Sequence, residues 1–229
     1  MNPMTDLQWE PNLVVFGGTF DPPHKGHSDC VEQVLKRFPK AQVFVTPCYQ
    51  APRTKDSVKV PVAGFEDRQA MCKLNFAALE NVEIVDVERY LPCPNYTVQT
   101  LKHLRQGHKT EKLGFLIGGD QLRLFHRWFQ PTEILHIASL IIVSRGRKAA
   151  LLKGVETLSE KLSLPLQKEK DRLSLGSSKP IFLLSEPTTN SGSSIIRGKM
   201  SEDLPIPEDW LKMEVRDYIS QHHLYRGSH

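Results

Sequence analysis

Short apolar runs that alternate with stretches of helical periodicity are the feature that most constrains the fold of this 229-residue chain. Runs rich in Val, Ile, Leu and Phe predict strands at residues 13–16, 42–46, 82–87, 113–117, 140–143 and 181–184. Strands that are separated by helices imply a mostly parallel sheet with helices on both faces. The predicted fold class is therefore α/β, with a Rossmann-like doubly wound sheet.

Helical spacing of apolar residues predicts the elements between these strands. The helices are expected from residue 26 onward and at residues 65–79, 96–105, 121–129, 132–137 and 207–224, and Asn95 is a candidate cap for the third. Residues 145–179 are rich in Lys, Ser and Leu with weak periodicity, which predicts a partly helical insertion. We expect a single domain over residues 1–225, and residues 226–229 look like the start of an expression tag.

Composition excludes several classes of function. The formal net charge of +4 is mild and no Lys/Arg stripe is present, so a nucleic-acid partner is not expected. Residues 1–11 lack the features of a signal peptide, and no apolar run is long enough to span a bilayer. The cysteines form no CxxC pair, which favours reduced thiols in a cytoplasmic protein over a disulfide framework or a zinc site.

A segment rich in Gly, Pro and His joins the first predicted strand to the first predicted helix. Gly17 and Gly18 would let the backbone approach a ligand closely, and the prolines would stiffen the turn. His24 and His27 are three residues apart, so both imidazoles should project from one face at the helix N-terminus. Backbone N–H groups and the helix dipole favour a phosphate at that position.

Such a histidine pair suits nucleotidyl transfer. In this reaction an acceptor oxygen attacks the α-phosphate in line while pyrophosphate departs, so catalysis is mostly positioning and electrostatic stabilisation. Imidazole N–H groups and Mg²⁺ can supply that stabilisation. Gly26, between the two histidines, is expected to leave room for a triphosphate. A helix end without catalytic role is the alternative; a zinc site lacks a third nearby ligand, and a dehydrogenase would need GxGxxG.

A second candidate phosphate site follows the last predicted strand. Ser193 and Ser194 stand at a predicted helix start, where hydroxyls are often simple caps. Arg197, one turn later, could fork onto phosphate oxygens beside the exposed N–H groups. In parallel sheets ligands bind where the carboxyl ends of strands meet helix N-termini, so the two sites should meet around one polyphosphate.

The Gly-Gly-Thr-Phe-Asp-Pro segment followed by His-x-Gly-His resembles the HxGH nucleotidyltransferase superfamily and, within it, the bacterial nicotinate-nucleotide adenylyltransferases. The resemblance covers most of the chain except residues 145–179. It implies that His24 and His27 contact the ATP phosphates, and we assign them with Arg197 as the catalytic residues. The residues that we assign to ATP are Gly17, Gly18, Thr19, Phe20, Gly118, Asp120, Ser193 and Ser194.

Residues 191–197 resemble the Ile-Ser-Ser-Thr-x-Ile-Arg signature of that family at its polar positions. Ser191 and Gly192 depart from the usual Ile-Ser. Asp120 could face the adenosine ribose or Mg²⁺, and as a helix cap it would be unremarkable. We expect Mg²⁺ to accompany ATP, without a metal site made by the protein alone.

The same resemblance assigns the acceptor site. It implies that Trp128 stacks on the pyridine ring and that Thr97 lies in the nicotinate pocket. An aromatic plane binds a flat heterocycle well, although Trp128 could equally be a core residue. Lys55 is assigned to the acceptor phosphate, while Arg53 in the same loop is an open alternative.

The leading hypothesis is transfer of AMP from ATP to nicotinate mononucleotide, which gives deamido-NAD and pyrophosphate in NAD biosynthesis. The same transfer to nicotinamide mononucleotide is the rival, since the two acceptors differ only in carboxylate against amide. Pantetheine-phosphate adenylyl transfer is less favoured, because it would leave Trp128 without a purpose. A non-catalytic nucleotide sensor and an RNA-binding protein are the alternatives from other classes. The sequence leaves a homo-oligomer open.

Overall fold

The computed structural model describes residues 9–52, 60–144, 148–169, 172–186 and 188–226. Within these ranges the chain forms one sheet of eight strands. The strands are β1 (Leu13–Gly18), β2 (Gln42–Pro47), β3 (Val82–Ile84), β4 (Leu113–Gly118), β5 (Ser139–Val143), β6 (Leu166–Glu169), β7 (Arg172–Leu175) and β8 (Ile181–Leu184).

The order of the strands across the sheet is β3-β2-β1-β4-β5-β8-β7-β6. The first six strands in this order pair in parallel, and β7 and β6 continue the sheet in antiparallel pairing. The chain starts in the middle, winds outward to β3 and then returns to wind outward on the other side. The predicted doubly wound α/β fold is confirmed.

Helices connect the strands and cover the sheet. They are α1 (Lys25–Arg37), α2 (Phe65–Phe76), α3 (Thr97–Gly107), α4 (Gly119–Leu122), α5 (Pro131–Ile137), α6 (Lys148–Leu162), α7 (Ser193–Ser201) and α8 (Met213–Gln221). Short 3-10 helices lie at Val87–Tyr90, Phe125–Arg127 and Glu208–Trp210. None of the helices described has the length and apolar character needed to cross a bilayer.

Alternating residues of β1 serve two separate cores. Leu13 and Val15 point to the face covered by α3, α5 and α6, whereas Val14 and Phe16 point to the face covered by α1 and α2. A strand that is covered on both faces needs apolar residues at every position, which explains the continuous apolar runs of the sequence. A third core joins α2, α7, α8 and the chain end at Tyr225.

Part of the predicted insertion extends the sheet, which sequence periodicity did not predict. After α6, strands β6 and β7 form an antiparallel hairpin, and β7 pairs with β8. All four residues of β7 are buried, yet two of them are polar, Arg172 and Ser174. The Arg172 guanidinium donates to the Trp9 carbonyl at 3.2 Å, so its burial is compensated. These polar residues interrupt the apolar pattern by which a buried strand is recognised.

Two smaller expectations were wrong. The single closing helix at residues 207–224 is instead a 3-10 turn and α8, separated at Leu211, whose extended backbone places its side chain in the third core. Asn95 does not cap α3, which begins after Tyr96. The Asn95 side chain instead accepts from the Gln50 amide at 2.8 Å and donates to the Glu88 carbonyl at 2.9 Å.

Candidate active site

The predicted site residues gather at the edge formed by the carboxyl ends of the parallel strands. Gly17 and Gly18 are the last residues of β1, where they pair with Thr46 and Pro47 of β2. Gly118 is the last residue of the neighbouring β4. Helices α1 and α4 begin within a few residues of these strand ends, so their N-termini face the same edge.

The ring of Phe20 packs against His27. Its ring is 2% exposed and makes edge-to-face contacts with Phe16 and with His27, at centroid distances of 5.3 and 5.0 Å. The Phe20 backbone is left-handed, with φ of 50°. A Cβ on Gly18 would lie 2.9 Å from the Phe20 ring, so a side chain at Gly18 would displace that ring. The Phe20 ring packs against His27, and the assignment of Phe20 to the nucleotide stays a prediction.

The two imidazoles of the HxGH motif are stacked. The ring centroids of His24 and His27 are 3.7 Å apart with an interplanar angle of 29°. His24 is the residue before α1 and is buried, while His27 is half-buried in the first turn. The His24 backbone N–H donates to His27 Nδ1 at 3.1 Å. In the neutral His27 ring the proton therefore resides on Nε2.

The two imidazole rings are in contact with each other, and the expectation that Gly26 leaves room for a triphosphate beside them stays a prediction. Gly26 itself packs against the loop before α7. A Cβ there would lie 3.1 Å from both the Ser191 hydroxyl and the Thr189 carbonyl. The absent side chain allows close approach of two loops.

A hydroxyl joins the two sequence motifs. Ser191 Oγ lies 2.9 Å from His24 Nδ1 and accepts from the Gly26 amide at 3.2 Å. Thr189 in the same loop donates its amide to Asp29 of α1 at 2.6 Å. Partial burial opposes ionisation of Asp29, but hydrogen bonds from Lys25 and Thr189 hold its pKa below the ordinary value.

Arg197 of α7 is held against the first motif. Its Nη1 donates to the Asp21 carbonyl at 2.6 Å and lies 3.7 Å from Asp21 Oδ2. Ser193, the first residue of α7, donates its hydroxyl to the Pro22 carbonyl at 2.9 Å. Ser194 is exposed at the start of the same helix. The described structure thus brings the two predicted phosphate sites into direct contact.

Asp21, which sequence analysis did not single out, is the centre of this arrangement. Its carboxylate is 3% exposed and accepts from the amides of Val62 and Ala63 at 2.8 and 3.1 Å. It also accepts from the Tyr225 hydroxyl at 2.7 Å. Four separate parts of the chain therefore meet at one carboxylate beside Arg197, namely the motif, the loop before α2, α7 and the chain end.

Tyr225 is built to remain a neutral donor. Burial, together with the neighbouring Asp21 carboxylate, raises the pKa of its hydroxyl well above the ordinary value. Its φ of 63° lies in the left-handed region, which is unfavourable for a bulky residue. The packing of the third core and the bond to Asp21 must hold this conformation.

A buried guanidinium supports the same turn. Arg68 of α2 is 1% exposed. Its Nη1 donates to the carbonyl of Thr19 at 2.8 Å and its Nε donates to the carbonyl of Ala63 at 3.2 Å. Thr19, assigned to ATP, is therefore fixed through its backbone. Arg68 therefore positions this turn through hydrogen bonds to two backbone carbonyls.

The acceptor residues lie on the face covered by α3, α5 and α6. Trp128 is half-buried against Phe115 of β4 and Phe125, with ring centroids 6.0 and 5.3 Å away. Thr97 is the first residue of α3 and half-buried. The assignment of Trp128 and Thr97 to the acceptor stays a prediction. Lys55 and Arg53 lie outside the described residues.

A buried carboxylate holds the segment that follows β2. Glu88 is 7% exposed and accepts from the Thr100 hydroxyl at 3.0 Å and from the Tyr49 amide at 3.2 Å. Burial raises the pKa of Glu88, and the hydrogen bonds from Thr100, Tyr49 and Cys48 oppose that shift only in part. Burial and the nearby Glu88 also raise the pKa of the Cys48 thiol, so this cysteine is not a reactive thiolate.

Asp120 follows β4 at the same edge. Its carboxylate folds back over Gly118, so a side chain at Gly118 would collide with it. Asp120 Oδ2 accepts a hydrogen bond from the side-chain Nε2 of Gln121 at 2.9 Å. Among the residues described, no group of three or more His, Cys, Asp or Glu side chains could hold a metal ion.

A sheet edge with stacked imidazoles, an arginine and two helix N-termini defines a nucleotidyltransferase site. Residues 15–199 match the family model described as cytidylyltransferase-like. A protein of Aquifex aeolicus named "Probable nicotinate-nucleotide adenylyltransferase" is 37% identical over 158 residues, which is 69% of this chain and 90% of that protein. A protein of the same name from Dehalococcoides mccartyi is 30% identical over 213 residues, 92% of this chain and 95% of that protein.

The chain belongs to the cytidylyltransferase-like family and, within it, to the nicotinate-nucleotide adenylyltransferases. The fold agrees with this membership. The solved structure of the Plasmodium falciparum nicotinic acid mononucleotide adenylyltransferase complexed with NaAD has a TM-score of 0.69 to this chain. Its sequence identity is 18%, and the match covers 94% of this chain and 98% of that one.

Proposed function

We propose that this chain transfers the adenylyl group of ATP to nicotinate mononucleotide, giving deamido-NAD and pyrophosphate in NAD biosynthesis. A phosphate oxygen of the acceptor forms a bond to the α-phosphorus, and the bond from that phosphorus to the β-phosphate bridging oxygen breaks. The observation that carries the proposal is the direct contact between the HxGH motif and the loop of Arg197. Membership of the family supports the choice of acceptor.

The residues of the chain act by positioning and by electrostatics. His24 and His27 present stacked imidazoles at the start of α1, where the helix dipole also favours phosphate. Arg197 keeps one nitrogen on the Asp21 carbonyl and offers a guanidinium to the polyphosphate. No covalent intermediate on the protein is needed, because the acceptor phosphate is itself the nucleophile.

The acceptor would enter on the side of α3 and Trp128. A pyridine ring on the half-buried Trp128 indole would gain offset stacking, and Thr97 at the start of α3 would offer a hydroxyl and a backbone N–H. The acceptor phosphate would then point toward the histidines. Lys55 remains our candidate for that phosphate.

Mg²⁺ is the cofactor we propose, bound mainly by the ATP phosphates with Asp120 as the protein ligand. The ion would neutralise charge on the phosphates. We also propose that the protein acts in the cytoplasm, on small molecules rather than nucleic acid. Cys48, Cys72 and Cys93 are free thiols, which suits a reducing compartment.

One assay separates the candidate functions. The purified protein is mixed with Mg-ATP and either nicotinate or nicotinamide mononucleotide, and pyrophosphate release is measured. We expect faster release with the nicotinate form. Faster release with nicotinamide mononucleotide would reassign the acceptor. Absence of release with both acceptors, in a protein that still binds ATP, would support a nucleotide sensor instead.

A further inference from the structure

The contact between Ser191 and His24 places a buried hydroxyl beside a catalytic imidazole. Ser191 is 1% exposed and His24 is 5% exposed, so bulk water does not compete freely for their hydrogen bonds. Ser191 Oγ is 2.9 Å from His24 Nδ1. Ser191 is also one of the two positions at which residues 191–197 depart from the family signature, so the usual role of that signature does not account for it.

The position of this hydroxyl is fixed by its own loop. The Thr189 amide is anchored to Asp29 at 2.6 Å, and the Ser191 amide donates to the Thr189 carbonyl at 2.9 Å. On the other side, Gly26 allows α1 to approach until its amide donates to Ser191 Oγ at 3.2 Å. Contacts from α1 and from the loop therefore hold the serine side chain.

The Ser191–His24 contact can be donated from either side. The Gly26 amide can only donate, so Ser191 Oγ is its acceptor. A hydroxyl oxygen can accept a second hydrogen bond, so the 2.9 Å contact is formed either by the Ser191 hydroxyl donating to His24 Nδ1 or by Nδ1–H donating to the hydroxyl. A neutral imidazole that accepts at Nδ1 carries its proton on Nε2.

His27 is set in the same way by a different donor. Its Nδ1 accepts from the His24 backbone N–H, so its proton also resides on Nε2. With the two rings stacked at 3.7 Å, His24 in the same tautomer would add a second Nε2–H donor on the neighbouring ring. Phosphate oxygens carry several acceptor sites at similar spacing and match such a pair.

We propose that Ser191 is a positioning residue that holds His24 in the Nε2–H tautomer, so that His24 enters the reaction as a hydrogen-bond donor to phosphate. The proposal rests on the adenylyl transfer proposed above. Without Ser191, the His24 ring would lose the hydroxyl donor at Nδ1 that favours this tautomer. Ser191 itself acts only through His24.

The tautomer can be observed directly in the free enzyme, without ATP or an acceptor. In protein labelled with 15N-histidine, long-range 1H–15N spectra distinguish a protonated ring nitrogen from an unprotonated one. The signals of His24 among the nine histidines are assigned by their absence in His24→Gln. At a pH where the ring is neutral, we expect Nδ1 to be unprotonated in the wild type and to be more often protonated in Ser191→Ala. A protonated Nδ1 in the wild type would overturn the proposal.

Kinetics provide the second measurement. We expect Ser191→Ala to lower kcat about tenfold, the scale of one well-placed hydrogen bond, and to leave the KM for the acceptor within about twofold. Ser178→Ala is the matched control, because Ser178 is 2% exposed and its hydroxyl also makes two hydrogen bonds, to the Leu175 amide and the Lys179 carbonyl. An equal loss of kcat in Ser178→Ala would mean that Ser191 is merely structural.

A double-mutant cycle separates the pair from its surroundings. If Ser191 acts through His24, Ser191→Ala should cost less than about twofold in a His24→Ala background. A further tenfold loss in that background would overturn the proposal. Failure of the proposed function would look different: the wild type would not use nicotinate mononucleotide, whereas the tautomer of His24 would still be measurable.

Discussion

The two sides proposed for the site, one for the nucleotide and one for the acceptor, are held by different kinds of interaction. The nucleotide side, residues 17–27 with the loop and helix at 189–197, is tied by buried hydrogen bonds among four parts of the chain. The acceptor side, Trp128 with the start of α3, rests on aromatic packing against the core. Directional bonds fix where donors point, which suits phosphates, whereas packing fixes a plane, which suits a flat ring. The comparison predicts that changes on the nucleotide side affect kcat most, and changes on the acceptor side affect KM.

The largest effect is expected from His24→Ala. Loss of one donor to the transition state should lower kcat by roughly 10²–10³. His136→Ala is the control, since His136 also makes two hydrogen bonds but lies on α5 before the amino end of β5, at the opposite edge of the sheet. Steady-state pyrophosphate release measures both. A loss of tenfold or less in His24→Ala would indicate that Arg197 and Mg²⁺ provide most of the transition-state stabilisation.

Tyr225→Phe tests whether the chain end belongs to the nucleotide side. The change removes the donor to Asp21, which lies against Arg197. Since hydrogen bonds to charged groups contribute about 1.5–3 kcal/mol, we expect a loss of about tenfold or more in kcat/KM for ATP.

The matched control for this variant is Tyr218→Phe. Tyr218 donates to Asp67 at 3.0 Å, another Tyr–Asp bond that involves α8 and α2 but not the motif. We expect Tyr218→Phe to lose about as much thermal stability as Tyr225→Phe but little activity. Equal loss of activity in both variants would show that Tyr225 only stabilises the fold.

The location of the nucleotide side could be derived from the sequence, but the hydrogen bonds that hold it could not. Strand β1, the turn and helix α1 follow from local apolar periodicity, and parallel strands bring their carboxyl ends together. The bonds of Ser191 to His24 and of Tyr225 to Asp21 join residues far apart in sequence, and spacing does not encode such pairs. Strand β7 was missed because a buried arginine and serine interrupt its apolar run.

Trp128→Ala tests the acceptor side. Aromatic stacking contributes about 0.5–1.5 kcal/mol, so the KM for nicotinate mononucleotide should rise roughly two- to tenfold while the KM for ATP stays unchanged. Trp128→Phe should retain most of the affinity. Trp9→Phe is the control. Trp9 lies just before β1 and is buried against Phe182, so this change should alter stability without altering either KM. A parallel rise in both KM values for Trp128→Ala would identify this residue as core.

The smallest effect is expected from Glu88→Gln, and it concerns stability. Burial raises the pKa of Glu88 above its ordinary value of 4.5, so the folded chain binds this proton more tightly than the unfolded chain does. The contribution of Glu88 to the free energy of unfolding therefore falls as pH rises from 4.5 through the raised native pKa. Glutamine titrates in neither state. It can still accept from the Tyr49 amide and donate to Thr100 Oγ1.

Urea unfolding of the wild type and Glu88→Gln across this pH range measures the difference. Below the window, protonated Glu88 and glutamine are nearly equal in shape, and the two unfolding free energies should agree within about 1 kcal/mol, the scale of one hydrogen bond. As pH rises, the variant should become more stable relative to the wild type. A difference that is constant with pH would mean that folding leaves the pKa of Glu88 unchanged, contrary to the effect expected from its burial.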